Sequence, residues 1–252
     1  MMLTPERHQL ILSLLKEHGV VKLQELIERT NSSESTIRRD LVQLEQENQL
    51  KRVHGGAALL HGNRTEPSYK EKTAKNIKEK IAIAKFASQL IQEGDSIFLD
   101  AGTTTQELIP FLDQEGLTVV TNGVNLIEPL LEKGIATYLI GGIIKPQTKA
   151  MIGSRALSSL NLYRFDKCFL GVNGIDLKYG FTTPDPEEAL IKQTAMGLAK
   201  KSFILADHTK FNEVSFSRIS SLKDAVLITD DGLTKKELTS YQEHINIKVV
   251  TT

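Results

Sequence analysis

Hydrophobic residues in the first sixty positions recur three and four residues apart, the spacing of one face of an α-helix. Three such sets predict three short helices: Ile11, Leu14 and Leu15; Leu23, Leu26 and Ile27; and Ile37, Leu41 and Leu44. Ser33 stands where it can cap the third helix. Beyond that helix, Gly55-Gly56 separates the basic run 51–54 from the apolar run 57–60, which predicts a β-hairpin. Residues 1–60 are therefore expected to form a small helical unit with a hairpin.

The rest of the chain alternates short apolar runs with helical stretches. Six apolar runs predict strands, each ending in a loop of small or polar residues: 96–99, 118–120, 137–140, 168–170, 203–206 and 226–228. Helices are predicted at 106–112, 124–132, 187–201 and 234–241. This alternation is typical of an α/β fold with a mostly parallel sheet, which we assign to residues 77–252. Residues 61–76 begin with turn-forming residues and are predicted to be a linker.

Composition and charge narrow the class of protein. The 252 residues carry 31 basic and 31 acidic side chains, and no apolar stretch is long enough to cross a membrane. The amphipathic N-terminus is unlike a signal peptide, and Cys168 is the single cysteine, so we expect a cytoplasmic protein without a membrane partner. Basic residues exceed acidic ones between Lys51 and Lys80, as in proteins that contact nucleic-acid phosphates. A solvated linker has the same composition, so charge alone leaves both interpretations open.

The third predicted helix carries candidate DNA-binding residues. With Ile37 and its neighbours facing the core, Ser35, Arg38 and Arg39 lie on the opposite side. Small hydroxyl residues allow close approach to a major groove, and arginine can bond to guanine or to a phosphate. The alternative is an ordinary solvated helix face, in which Asp40 counters the two arginines.

The loop from Asp100 to Thr105 is the best candidate for an anion site. Gly102 allows close approach of the backbone, and three threonines offer hydroxyls and amides at the start of a helix. A hydroxyl-rich helix cap is the plainer alternative, but similar loops recur at Thr121-Asn122 and Gly141-Gly142. The sequence contains neither GxGxxG nor GxxxxGK[ST], and the histidines lack metal-ligand spacing, so no cofactor and no metal are expected.

Other polar residues have weaker claims to a functional role. Lys145 and Lys210 follow strand ends and could neutralise a phosphate, although surface lysines are as plausible. Glu188 and Lys192 are four apart on a predicted helix, and a solvated ion pair is the favoured interpretation. Cys168 lies within a strand and is expected to be buried. His208 is expected to form hydrogen bonds within a loop.

The residues of the first unit, taken together, resemble the helix-turn-helix signature of the DeoR family of repressors. The resemblance rests on Arg7, Ile11 and Leu15, on the run 33–41, and on the run 50–57 as the wing. It implies a winged helix-turn-helix. It also implies DNA contacts from these residues of the recognition helix and the wing: Ser35, Thr36, Arg38, Arg39, Lys51, Arg52 and His54.

The second unit resembles the DeoR sensor domain, which is similar in fold to ribose-5-phosphate isomerase. The resemblance implies a site for a phosphorylated sugar formed by Asp100, Gly102, Thr103, Thr104, Thr105, Thr121, Asn122, Gly141, Gly142, Lys145, Gly171, Asn173, Asp207 and Lys210. The isomerases carry aspartates in the loop that corresponds to 170–175, where this chain has Asn173 and no aspartate before Asp176. No catalytic residue is therefore expected, and binding without turnover is the implied outcome.

Within that family the chain most resembles the fructose-operon repressors of Gram-positive bacteria, through the runs 3–9 and 33–41. The expected partners are operator DNA, a phosphorylated sugar, which would be fructose 1-phosphate, and further copies of the chain in a dimer or tetramer, because paired half-sites suit paired helices. Three alternatives stay open: a sugar-phosphate isomerase with an appended DNA-binding unit, an activator built of the same parts, and a protein-binding winged helix.

Overall fold

A computed structural model describes residues 2–18, 20–47, 49–53, 55–59 and 66–252. The chain divides into two compact units, Met1–Gly62 and Asn63–Thr252. Across the described residues, no helix combines the length and the hydropathy needed to span a membrane.

The first unit combines three helices with a three-stranded antiparallel sheet. Its elements are α1 (Thr4–His18), β1 (Val20–Lys22), α2 (Leu23–Thr30), α3 (Glu34–Gln46), β2 (Leu50–Val53) and β3 (Gly56–Leu59). The sheet has the order β1-β3-β2, and the sequence pattern had not indicated β1. The core contains the residues that helical spacing selected, among them Ile11, Leu15, Ile37, Leu41 and Leu44. Three helices and a hairpin are thus confirmed.

Gly56 explains how closely the hairpin packs on β1. A Cβ at this position would lie 2.2 Å from the carbonyl oxygen of Val21. Since Gly56 pairs with Lys22 in the ladder between β1 and β3, a side chain there would push the two strands apart.

The second unit is built on a seven-stranded sheet. In chain order its elements are α4 (Tyr69–Thr73), α5 (Ile77–Ser88), β4 (Ser96–Leu99), α6 (Thr103–Gln106), β5 (Thr118–Thr121), α7 (Ile127–Glu132), β6 (Ala136–Leu139), β7 (Ile143–Lys145), β8 (Ala150–Ile152), α8 (Ser154–Leu160), β9 (Phe165–Gly171), β10 (Gly174–Asp176), β11 (Gly180–Thr183), α9 (Pro186–Leu198), β12 (Ala199–Leu205), β13 (Ser217–Ser220), β14 (Val226–Asp230), α10 (Lys235–Gln242) and β15 (Ile247–Val250).

The large sheet is wholly parallel, with the order β15-β14-β12-β9-β4-β5-β6. Both of its faces are covered, because successive side chains of a strand point to opposite sides. On β4, Phe98 packs in one core, whereas Ile97 and Leu99 pack in the other. The predicted fold class is confirmed. The small antiparallel sheets β7-β8 and β10-β11-β13 lie outside the predicted pattern.

Three predicted helices have different limits in the structure. The helix expected at 124–132 begins with a 3-10 turn at Val124–Leu126 and becomes α7 at Ile127. The helix expected at 187–201 ends at Leu198, because Ala199 enters β12 and pairs with Phe165 of β9. The helix expected at 106–112 is instead the short α6, followed by a single 3-10 turn at Ile109–Phe111. Pro110 accounts for the break, since proline lacks the backbone N–H that a continued helix needs.

The segment 61–76 is predicted to be a linker, but the part of it that the structure describes belongs to a folded unit. Positions 60–65 lie outside those residues. Positions 66–76 belong to the second unit and include α4, which begins with a capping box formed by Ser68 and Glu71. The backbone N–H of Tyr69 donates to the carbonyl of Gln147 at 2.7 Å. The part of the linker that is described is therefore ordered structure.

Candidate functional site

The N-terminal end of α3 presents hydroxyl groups and arginines together. Ser33 caps the helix by accepting a hydrogen bond from the backbone N–H of Thr36 at 3.3 Å. Its Oγ also lies 3.0 Å from Oγ of Ser35 and 2.8 Å from Oγ1 of Thr36. Arg38 and Arg39 are exposed on the same helix, opposite the buried stripe. This surface has the residue types that a major-groove reader uses.

Arg38 already has one local partner on this surface. Its guanidinium lies 2.7 Å from the carboxylate of Glu34, one turn earlier, and both side chains are exposed. An exposed pair of this kind is worth little, so an incoming phosphate or base can compete for Arg38.

Asp40 does not neutralise the exposed arginines, contrary to the alternative considered from sequence. It faces inward and receives the guanidinium of Arg7, on α1, at 2.5 Å and 3.0 Å. His8 adds a third contact at 3.2 Å. Burial alone would raise the pKa of Asp40, but the hydrogen bonds from Arg7 and His8 outweigh it and hold the pKa below its ordinary value. The pair joins α1 to α3 beneath the exposed face.

The hairpin carries the second group of predicted DNA contacts. Arg52 is exposed on β2, and its guanidinium lies 3.8 Å from the carboxylate of Glu45. Lys51 occupies the preceding position of the same strand. His54 lies outside the described residues.

The seven parallel strands end at one side of the sheet. Six of them, β4, β5, β6, β9, β12 and β14, continue there into segments that we name together the carboxyl edge: residues 100–102, 122–123, 140–142, 172–173, 206–207 and 231–233. From β4 the strand order runs outward to β5 and β6 on one side and to β9, β12, β14 and β15 on the other. The strand order reverses between β4 and β9, and ligands of open parallel sheets usually bind at such a reversal; we name this place the crevice.

Asp100 and Gly171 meet in this crevice. The carboxylate of Asp100 accepts a hydrogen bond from the backbone N–H of Gly171 at 3.0 Å. It also forms an ion pair with Lys192. Gly102 lies alongside, and a Cβ built on it would be 3.8 Å from Cα of Gly171. The structure therefore brings together three of the predicted ligand residues and adds Lys192.

The threonines after Gly102 divide into two kinds. Thr105 is committed to the loop, since its hydroxyl donates to the carbonyl of Asp100 at 2.6 Å and accepts the N–H of Gly102 at 3.0 Å. Thr103 and Thr104 are nearly buried, and their side chains have no hydrogen bond to any residue that the structure describes. Neither of these two hydroxyls is therefore committed to a partner among the described residues.

Thr121 and Asn122 position the loop rather than project from it. The hydroxyl of Thr121 donates to the carbonyl of Leu99 at 2.6 Å, and Oδ1 of Asn122 accepts the N–H of Ala101 at 3.0 Å. Both side chains are buried. They tie the end of β5 to the end of β4 and so fix the shape of the anion-loop candidate.

The loop after β9 offers no carboxylate to the crevice. Oδ1 of Asn173 accepts a hydrogen bond from the hydroxyl of Thr183 at 3.0 Å. The carboxylate of Asp176 accepts the backbone N–H groups of Lys178 and Tyr179, each at 2.8 Å, and so closes its own turn. Asn173 and Asp176 are therefore both engaged within their own loop and turn.

The prediction of a solvated ion pair between Glu188 and Lys192 is wrong. They were expected to form a solvated ion pair, but both are buried on α9. Lys192 pairs with Asp100, and the carboxylate of Glu188 accepts the hydroxyl of Thr148 at 2.6 Å. The i,i+4 spacing does place both residues on one face of α9, but that face turns toward the carboxyl edge and not toward solvent.

Lys145 lies among three carboxylates rather than at an open surface. Its ammonium is 2.5 Å from Glu66, 2.7 Å from Asp185 and 3.1 Å from Glu188. Burial alone would lower the pKa of Lys145, but the hydrogen bonds that its ammonium donates to Asp185 and Glu66, and the charge of Glu188, raise it above its ordinary value. A phosphate could reach this cation only by displacing a carboxylate.

Asp207 lies at the end of β12, in a network of its own. Its Oδ1 accepts hydrogen bonds from Nδ2 of Asn76 and from the N–H of Thr209, both at 3.0 Å. Burial would raise the pKa of Asp207, but Lys210 and these hydrogen bonds hold it below its ordinary value.

His208 contacts Asp230 at 2.6 Å, in keeping with a hydrogen-bonding role. No cluster of potential metal ligands was found among the described residues.

Lys80 is a residue that the sequence did not single out. It is buried, donates to the carbonyl of Lys72, and burial lowers its pKa, an effect that the charge of Asp207 only partly offsets. A lone lysine in an amphipathic helix gives no sequence signal of this placement.

Gly141 and Gly142, the last of the predicted loop pairs, follow β6. Gly141 is exposed. Gly142 has a φ of +139°, and a Cβ there would lie 2.6 Å from the carbonyl oxygen of Ile152. Close packing against β8 is sufficient to explain the requirement for glycine at this position.

Comparisons with known proteins agree on both units. Residues 7–63 match the DeoR-like helix-turn-helix domain, and residues 75–231 match the DeoR C terminal sensor domain. The chain is 54% identical over 252 residues to the HTH-type transcriptional regulator FruR of Bacillus subtilis (strain 168), covering 99% of each chain.

More distant relatives are also named as regulators. The HTH-type transcriptional repressor GlcR of Bacillus subtilis (strain 168) is 33% identical, with 98% of this chain and 96% of that protein covered. The lactose phosphotransferase system repressor of Staphylococcus aureus (strain NCTC 8325 / PS 47) is 33% identical, with 96% and 98% covered. Among solved structures, ribose 5-phosphate isomerase A from Methanocaldococcus jannaschii has a TM-score of 0.42 and 16% identity, covering 54% of this chain and 55% of the isomerase.

Proposed function

Since the chain belongs to the DeoR family of helix-turn-helix regulators, we propose that it represses a sugar-utilisation operon in the cytoplasm and leaves its operator when a phosphorylated sugar binds. The observation that carries the proposal is the pairing of two surfaces in one chain. One is the exposed face of α3 with Arg38 and Arg39, and the other is the polar crevice between β4 and β9.

On the DNA side, α3 is the recognition helix in this proposal. Its hydroxyls, Ser35 and Thr36, and its arginines would enter the major groove, while Lys51, Arg52 and His54 of the hairpin would contact the backbone or the minor groove. The inward pairing of Asp40 with Arg7 supports the assignment, because the positive charge of the exposed face stays uncompensated by that carboxylate.

On the ligand side, the phosphorylated sugar occupies the crevice. The side chains of Thr103 and Thr104, and the backbone after Gly102, suit an anion, whereas the carboxylate of Asp100 suits sugar hydroxyls. Flanking positions complete the proposed site: Thr105, Thr121, Asn122, Gly141, Gly142, Lys145, Gly171, Asn173, Asp207 and Lys210.

Fructose 1-phosphate is the proposed sugar. The support for it is the likeness of the sequence to fructose-operon repressors and the 54% identity to FruR, not the geometry of the crevice. The chain is expected to bind this sugar without converting it, because the loop after β9 supplies no general base.

Release from DNA follows from a shift between two populations. We propose that a dimer or tetramer places two recognition helices on paired half-sites and that the sugar prefers an arrangement in which their spacing no longer fits. A coupling of about 100-fold corresponds to about 2.7 kcal/mol of differential affinity, which is within the usual allosteric range.

In vitro transcription tests the proposal. The template is the promoter DNA upstream of the protein's own gene, with purified RNA polymerase. Added protein is expected to lower the transcript level, and millimolar fructose 1-phosphate is expected to restore it. A rise in transcript on adding the protein would identify an activator instead. An unchanged level at protein concentrations that saturate the DNA would contradict regulation of this promoter.

A further inference from the structure

Residues 66–76, which we name the strap, lie against the carboxyl edge. The hydroxyl of Tyr69 donates to Gln106, the residue directly after Thr105. The ammonium of Lys149 lies 4.6 Å from the centre of the Tyr69 ring. At the other end of the strap, Asn76 donates to Asp207 at 3.0 Å. The strap therefore contacts α6, which follows the loop after β4, and the loop after β12, on both sides of the proposed crevice.

The strap is also the start of the second unit. Three residues separate Glu66 from Gly62, which is the last residue of the first unit. A change in how the strap docks would therefore occur close, along the chain, to the DNA-binding unit. Among the described residues of the second unit, those of the strap are the nearest to α3 along the chain.

Glu66 anchors the strap through charge. Its buried carboxylate lies 2.8 Å from the ammonium of Lys72, within the strap, and 2.5 Å from Lys145, on β7. Burial would raise the pKa of Glu66, but these two lysines hold it below its ordinary value, so the carboxylate is ionised at neutral pH. The contact with Lys145 joins the strap to the hairpin formed by β7 and β8.

Of the three carboxylates around Lys145, Glu66 is the one that can leave most easily. Asp185 caps α9 by accepting the N–H of Glu187 at 2.8 Å, and Glu188 holds the hydroxyl of Thr148. Among the described residues, Glu66 accepts its hydrogen bonds from the side chains of Lys72 and Lys145. Neither of these bonds fixes Glu66 to a helix end. An added phosphate brings a charge of about −1.5 to −2 and would repel this cluster unless one carboxylate withdrew.

Lys145 and its three carboxylates lie close to the crevice, so a phosphate bound there could compete with a carboxylate for Lys145. Glu188 is one turn of α9 from Lys192, which pairs with Asp100. Residues four apart on a helix lie on the same face, with Cβ atoms about 5–6 Å apart. Lys145 contacts Glu188 and therefore lies about one turn of α9 away from the pair of Lys192 and Asp100.

We infer that Glu66 is an internal anion that holds Lys145 while the site is empty, and that a phosphorylated sugar takes Lys145 from it and so frees the strap. The inference rests on the proposed function and names how the ligand signal leaves the same site. The docked strap belongs to the DNA-binding arrangement, and the freed strap belongs to the released arrangement.

The test compares the full-length protein with Glu66→Gln, which removes the charge and keeps the shape. Asp166→Asn is the matched control, since Asp166 pairs with Lys200 at 2.7 Å at the opposite end of β9. Hydrogen–deuterium exchange follows the backbone amides of 68–73, and fluorescence anisotropy measures operator affinity, each with and without fructose 1-phosphate.

Without sugar, Glu66→Gln is expected to exchange faster at 68–73 and to bind the operator about tenfold more weakly, whereas Asp166→Asn matches the wild type. Fructose 1-phosphate is expected to speed exchange at 68–73 in the wild type and to bind Glu66→Gln more tightly, because it no longer displaces a carboxylate.

If Glu66→Gln exchanges at 68–73 and binds the operator as the wild type does, the inference is overturned, whatever the sugar does. Slower exchange at 68–73 on adding fructose 1-phosphate would also overturn it, since the ligand would then fasten the strap. Failure of the proposed function has a different signature, in which operator binding by the wild type ignores the sugar while Glu66→Gln still loosens the strap.

Discussion

Lys192 and Asp100 form a buried ion pair that joins α9 to the loop after β4 in the middle of the carboxyl edge. The same carboxylate accepts the backbone N–H of Gly171, so one side chain links three elements. A charge that is buried with its partner is costly to leave alone, which makes this pair the element on which the shape of the crevice depends.

Replacing Lys192 with methionine is expected to destabilise the protein by about 3–5 kcal/mol, because Asp100 would stay buried without its cation. Urea unfolding measures the change. Lys201→Met, at an exposed position of β12, is the control and should change stability by less than about 0.5 kcal/mol. Equal effects of the two substitutions would show that the Asp100 pair is not structurally important.

A second buried pair gives a prediction about pH. The pKa of Asp40 is lowered in the folded protein, so the stability that its pair with Arg7 contributes is complete above the unfolded pKa of about 3.9. It is lost as the pH falls through the lower, folded value. Arg7→Met is therefore expected to cost about 3 kcal/mol at pH 7, and the difference from wild type should shrink on acidification below pH 4.

Urea unfolding of the wild type and Arg7→Met at several pH values measures that difference. Because other carboxylates titrate in both proteins, subtracting the two curves isolates the pair. A difference that grew on acidification would contradict the sign of the Asp40 shift.

The exposed arginines of α3 give a prediction about DNA. Arg38→Ala and Arg39→Ala are each expected to weaken operator binding by about 1–3 kcal/mol and to leave the fold intact, since neither side chain is buried. Anisotropy titrations at a fixed salt concentration measure the loss. Arg164→Ala, an exposed arginine of the second unit, supplies the same change of charge and should bind the operator as the wild type does. Unaltered affinity in both α3 variants would favour a protein-binding winged helix.

Cys168 is expected to be inert in the folded protein. It is fully buried on β9, and burial raises the pKa of its thiol from about 9 to about 12, with only partial relief from a hydrogen bond to Ser202. Each unit of pKa reduces the thiolate tenfold, so alkylation by iodoacetamide at pH 8 should be about a thousandfold slower than in urea. Mass spectrometry of timed samples follows the reaction. Comparable rates in the folded and unfolded protein would show that Cys168 is accessible.

Much of the fold could be predicted from the sequence, because its signals are local. The spacing of Ile37, Leu41 and Leu44 fixes the buried face of α3 without knowledge of the rest of the chain. Six of the seven strands of the large sheet are likewise apolar runs that end in small polar loops, and parallel strands must place those loops at one edge; β15 was not predicted. Local composition therefore indicated the fold class and the edge of the sheet at which those loops meet.

The contacts within the crevice could not be predicted, because they join residues far apart in the chain. Lys192 and Asp100 are 92 positions apart, and Lys145 and Glu66 are 79 apart. The spacing of Glu188 and Lys192 is equally consistent with a solvated pair, and burial of that face of α9 depends on how the helix packs on the sheet. For the same reason, sequence composition described 66–76 as a linker, although the contacts of Tyr69 and Glu66 order it.

The measurement that tests the account most directly is a fluorescence-anisotropy titration of the protein onto its own upstream promoter DNA, at a stated salt concentration, with and without millimolar fructose 1-phosphate. The account predicts tight binding that this sugar weakens by about 100-fold and that fructose 6-phosphate leaves unchanged. Tight binding that ignores every phosphorylated sugar would contradict the ligand half of the account. The absence of specific binding would contradict the assignment of α3 as a recognition helix.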